Sequence, residues 1–148
     1  MRRDTIGLVG QPVAALCSSG FDIGRLVELS KELPAHGDVV LLLAPKPGIE
    51  KRLLPAFANA TVRVRGKVSR SRSLQMEMLL FVCGTMNIGA ALASCGAKSE
   101  KGFVVFASSR KLFAAFSKEA GLSVKKRIEL KLDFGEAGSV AATELDAR

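Results

Sequence analysis

Residues 74–83 read LQMEMLLFVC, an apolar run whose only charge is Glu77. No other stretch constrains the fold as strongly. The run must be buried, yet it falls short of the ~20 residues that a membrane span needs. Met, Leu, Gln and Glu dominate and β-branched residues are nearly absent, so it predicts a helix rather than a strand. Ser71 or Ser73 is placed to cap it, and Gly84–Thr85 breaks it. Thr85 then caps a second, shorter helix with Ile88, Ala91, Leu92 and Cys95 at helical spacing, and Gly96 stops it.

The rest of the chain must supply what buries this run. Residues 5–9 form a short apolar stretch before Gly10, a predicted strand, and residues 11–20 read as a small-residue connection. Asp22 caps a helix to about Glu32 with Ile23, Leu26, Val27 and Ser30 on one face. Residues 39–43 are all apolar, which predicts a buried central strand. After the turn at Pro45, Pro47 and Gly48 comes a helix to Gly66. Its buried face is Leu53, Ala56, Phe57, Ala60 and Val64, and Pro55 delays its start or kinks it. Residues 103–107 form a compact strand. Ser108 or Ser109 caps a helix with Leu112, Phe113, Phe116 and Ala120 inward, closed by Gly121. Ile128, Leu130, Leu132 and Phe134 alternate with charged residues, the pattern of a strand with one wet face. The expected architecture is a single α+β domain over residues 1–135, a small mixed or antiparallel sheet with helices packed against it. Residues 136–148 form a flexible or short helical tail.

The +8 formal charge points to a polyanionic partner, nucleic acid before anionic membrane. It is concentrated ahead of the apolar run, where Arg63, Arg65, Lys67, Arg70 and Arg72 fall within ten residues without an acid. Guanidinium groups beside serines at a helix start suit phosphate binding; a solvated charged loop is the plainer alternative. Lys125, Lys126, Arg127 and Lys131 make a second cluster, either extending this track or lying across from it. With no Trp or Tyr, base stacking on an aromatic platform is poorly served.

Catalytic chemistry finds few candidates. The sole histidine, His36, lacks the companions of a serine triad or a zinc site. Glu77 is either a base or ligand anchor, or a structural acid near a helix N-terminus, paired with Arg72 or bonded to backbone amides, and the structural reading is preferred. Cys17, Cys83 and Cys95 are odd in number and lack CxxC spacing, which fits a reducing cytosol. A thiol enzyme built on Cys83 or Cys95 would need an electropositive neighbour, and the local sequence supplies none. Met76, Met78 and Met86 suit a core, or else an adaptable partner surface. Arg2 and Arg3 are followed by Asp4 and an apolar run too short for a signal peptide. No cofactor or small-molecule substrate is indicated.

The central stretch also has a family look. Ser73-Leu74, Glu77, Leu79-Leu80, Gly84, Asn87-Ile88, Ala91-Leu92 and Gly96 occur in an order and spacing that resemble the smallest core subunit of the KEOPS complex, the PRPK-binding protein (TPRKB) family, in its archaeal form. The alanine-rich helix before it and the strand after it extend the likeness to residues 49–107. The C-terminal end departs, since that family often closes with an alanine- and leucine-rich helix. The resemblance implies a cytoplasmic, non-catalytic accessory subunit of the complex that makes tRNA N6-threonylcarbamoyladenosine. Such a subunit binds the complex's kinase-like ATPase and recruits tRNA through its single-stranded 3′ CCA end. It would place Arg65, Lys67, Arg70 and Arg72, with Arg63 leading the run, on the RNA surface. Met86, Ile88 and Ala91 would face the kinase-like subunit or pack inward. A subunit that only binds protein and regulates the ATPase allosterically is the alternative. A small enzyme using Glu77 or a cysteine is a third.

Overall fold

Small side chains build the middle of the sheet. Residues 13–19 were expected to be a connection, but Val13–Ser19 is a strand, β1, flanked on both sides. Ala14, Ala15 and Cys17 are fully buried there, and their size lets helices approach both faces closely. Packing has overridden their low strand propensity. The computed structural model describes residues 11–66 and 73–130. The predicted strand at residues 5–9, the cations Lys67, Arg70 and Arg72, and residues 131–148 lie outside them.

The described residues form a single α+β domain. Helix α1 (Ile23–Glu32) is capped by Asp22, whose Oδ1 accepts from Arg25 N at 2.8 Å. Strand β2 is Val40–Leu43. A short 3-10 turn, Ile49–Lys51, precedes α2 (Leu53–Arg65), so Pro55 falls in the first turn, where no intrahelical N–H is lost. Helix α3 (Leu74–Cys83) follows, capped by Ser73 and stopped by Gly84 at φ 73°. The chain bends by 69° into α4 (Ile88–Cys95). Asn87 caps α4 in place of the expected Thr85, whose hydroxyl accepts from Asn87 N instead. Strand β3 (Phe103–Ala107), helix α5 (Arg110–Ala120, capped by Ser109) and strand β4 (Leu122–Ile128) complete the domain.

All strand pairs are antiparallel, in the order β2-β3-β1-β4. Helices cover both faces. On one, α2, α3 and α4 bury Ala14, Leu41, Leu43, Val104 and Phe106. On the other, α1 and α5 bury Ala15, Cys17, Val40, Leu42, Phe103 and Val105. Strand β2 is therefore an edge, not the centre that its composition predicts. Burial on both faces makes an edge strand as apolar as a central one.

The open side of β2 is covered. Leu43 bridges Gly96, Ala97 N donates to Leu42 O, and Ala44 N donates to Cys95 O at 2.9 Å. At the other end, the Gln75 amide from α3 donates to Val40 O at 2.7 Å and to Ser30 Oγ of α1 at 2.9 Å. One side chain thus ties the two helical layers together around the sheet edge. Gln75→Ala leaves the Val40 carbonyl without that donor, and a loss of about 1–3 kcal/mol is expected in chemical denaturation. A loss below experimental error would show that water replaces the amide.

Strand β4 begins six residues earlier than the alternating pattern at 128–134 suggested. Its ladder with β1 shifts register, Cys17 facing Val124 and Leu16 facing Lys126, so Lys125 has no opposite residue. Such a bulge sharpens the local twist.

Candidate nucleic-acid interface

The basic run divides at the end of α2. Arg63, in its last turn, points inward: its Nε donates to Glu77 Oε1 of α3 at 3.1 Å. The two side chains are only 12% and 1% exposed. A guanidinium held there serves the α2–α3 packing and is not presented to a ligand. Glu77 fills the structural role expected of it, but with Arg63. Its partner by sequence, Arg72, lies outside the described residues, as do Lys67 and Arg70. Arg65 is exposed next to Gly66.

At the far side of the gap, Ser73 Oγ accepts from Met76 N at 3.1 Å. A cleft of about 440 Å3 opens beside it, lined by Ser73, Leu74, Lys31 and Asp38 among others. Lys31 and Asp38 offset one another in charge, which makes this a neutral rather than a cationic opening.

The partner-facing candidates separate by burial. Met86, in the α3–α4 connection, is 38% exposed, and Leu92 on α4 is 47% exposed. Ile88 is half-buried against the core. Ala91 is 0% exposed, so packing is the one of its two offered roles that it fills.

A more cationic cleft lies elsewhere. About 500 Å3 in volume, it opens between the loop after β2 and the end of β4. Leu16 and Val104 of the sheet, with Ile49 and Ile128, give it an apolar lining. Lys46, Lys126 and Arg127 line it, as do the acids Glu50 and Glu129, which leaves a surplus of one positive charge. Lys126 faces Leu16 across the ladder and shares its side of the sheet. A second opening of about 240 Å3 shares Lys46, Pro47 and Ile49 and adds Arg52. Lys46 Nζ donates to Ser94 Oγ at 3.2 Å, and Arg52 donates to the Val82 carbonyl at 3.0 Å. These neutral acceptors orient the cations without cancelling their charge. Neither makes an ion pair among the described residues. Arg52 and Arg65 flank opposite ends of α2, roughly 20 Å apart at the α-helical rise, so this cleft is separate from Arg65.

The second basic cluster splits across β4. Arg127 faces Ala15, on the α5 side, and besides the Lys46 cleft it lines another of about 270 Å3 with Arg110 and Phe113. Lys125 Nζ donates to the Lys101 carbonyl at 2.6 Å.

Sequence reasoning passed over Lys46 because Pro45-Lys46-Pro47-Gly48 reads as a bare turn. A cation between two prolines, whose φ angles are fixed, was the available signal. Among the described residues no group of three or more His, Cys, Asp or Glu is arranged to hold a metal ion, and no single helix is long and apolar enough to cross a membrane. No protein-family model matches the chain, and no curated protein matches it.

Proposed function

We propose that this chain is a cytoplasmic, non-catalytic accessory subunit of a KEOPS-type tRNA-modifying assembly, docking on the kinase-like ATPase and taking the 3′ CCA end of tRNA. The observation that carries the reading is the cleft lined by Lys46 and Lys126, with Arg52 beside it. Lys46, Lys126 and Arg127 around an apolar lining, offset in part by Glu50 and Glu129, suit one or two unstacked nucleotides, the phosphates meeting the cations and the bases the apolar surface. Single-stranded ends are the RNA elements whose bases are free to be splayed in this way. The order of residues from Ser73 to Gly96 supports the family assignment, and the committed Arg63–Glu77 pair supports a structural rather than catalytic use of that carboxylate.

The test is a salt titration of tRNA binding by wild type and by Lys46→Ala/Lys126→Ala. Each single-strand phosphate contact contributes about 0.7 to the slope of log K against log salt, so the double variant is expected to lose roughly 1.4. An unchanged slope would remove the cleft from the interface. The alternative, a subunit that meets only protein, draws on the exposed Met86 and Leu92 around the α3–α4 bend. It predicts co-purification with the ATPase, no RNA retention at low salt, and Met86→Asp breaking the association.

A further inference from the structure

Cys83 ends α3 and Cys95 ends α4, and both line the smaller cleft with Lys46 and Arg52. The pair is asymmetric: Cys83 is partly exposed and Cys95 is buried. Both residues line that one opening, and Cys95 Sγ donates to Ser94 Oγ at 3.9 Å. Burial, then the Cys83 neighbour, push the Cys95 thiol up, while the Ser94 hydroxyl and then the Lys46 charge pull it down. The Cys95 carbonyl accepts from Ala44 N, which fixes this end of α4 on the edge of β2. Cys17 is a built-in control. It lies with the α1–α5 core layer, and burial pushes its thiol up to about 11.

We propose that Cys83 and Cys95 are a modification site for small-molecule disulfides of the glutathione type, closing on exchange into an intramolecular disulfide at the mouth of the Lys46 cleft. Cys83 is the entry thiol, because it is the one solvent reaches. Its proton leaves to water, and its sulfur attacks one sulfur of oxidised glutathione. That S–S bond breaks, one glutathione thiolate departs, and a mixed disulfide remains on Cys83. Cys95 then gives up its proton, its sulfur attacks Cys83 Sγ, and the second glutathione leaves. The two protein thiols are oxidised, one glutathione disulfide is reduced to two thiols, and both protons pass to solvent or product. The new bond ties the end of α3 to the end of α4 across the opening that holds Lys46 and Arg52.

The test treats the folded full-length chain with oxidised glutathione and reads the tryptic peptide spanning residues 73–98 by mass spectrometry. That peptide holds both cysteines. It is expected to lose two hydrogens, reversibly with dithiothreitol, while Cys17 stays reduced and alkylates only after denaturation. Cys95→Ser should stop at a glutathione adduct on Cys83, and Cys83→Ser should not react at all. Because Cys83 is partly exposed, the second variant tests the scheme even where the first fails to fold. A stable Cys83–glutathione adduct on wild type, a Cys83-linked dimer, or two free thiols after exhaustive treatment would each overturn the proposal.

Discussion

Arg63→Ala is expected to destabilise the domain by about 3–5 kcal/mol, because it breaks the ion pair that Arg63 makes with the buried Glu77 carboxylate. Glu77 sits in the first turn of α3, where the helix dipole helps but does not replace a guanidinium 3.1 Å away. Breaking a buried pair costs more than the intact pair contributes, because each charge has already lost its water. Substituting both partners together by apolar residues of similar volume, Arg63→Met with Glu77→Leu, should recover most of the loss. Urea denaturation of the two single variants and the double variant closes the cycle. A single-variant loss below about 1 kcal/mol would mean that water reaches Glu77, as it does in exposed pairs.

Phe106→Ala is expected to cost a similar amount, about 3–5 kcal/mol. Phe106 lies in β3, opposite Ala14 on one side and Leu41 on the other, and it is 0% exposed. Its ring meets Phe57 of α2 with centroids 5.6 Å apart and planes inclined at 51°. This tilted contact lies within the geometry that aromatic pairs prefer. Its removal opens a cavity where the sheet meets α2, and the small β1 residues beside it cannot fill the space. Phe106→Leu should cost distinctly less. Equal losses for the two variants would locate the damage in strand geometry instead of packing volume.

The helices were legible because their signals are local. Asp22, Ser73 and Ser109 cap as their positions predict, and Gly84 and Gly121 close helices at positive φ. The long apolar run is a helix for the reason its composition gives, a dearth of β-branched residues. The sheet was less legible. Val13–Ser19 carries few β-formers, and only the helices packed above and below make a strand of it. Val40–Leu43 is apolar throughout, which reports burial on two faces and says nothing about neighbours in the sheet. Its protected edge depends on Gln75 and Gly96, distant in sequence. At Gly96 an added Cβ would sit 2.7 Å from Leu92 O, so the close approach needs glycine.

The candidate site was less legible still. A run of cations is easy to see, but whether each faces solvent depends on the helix phase and on a partner such as Glu77. Arg63 turns inward for that reason. Lys46 and Lys126 are eighty residues apart in sequence, and only the sheet brings the loop after β2 beside β4. Alternation along β4 also sends Lys126 and Arg127 to opposite faces, which a count of charges does not reveal.

Capture of a single-stranded tRNA terminus is the central claim, and trimming that terminus tests it most directly. Binding of the full-length chain to intact tRNA and to the same tRNA lacking its terminal CCA is to be compared at one fixed, moderate salt concentration. The cleft reading predicts at least a tenfold weaker affinity for the trimmed tRNA, about 1.4 kcal/mol, with Lys46→Ala/Lys126→Ala erasing the difference. Equal affinity of the wild-type chain for the two RNAs would contradict it.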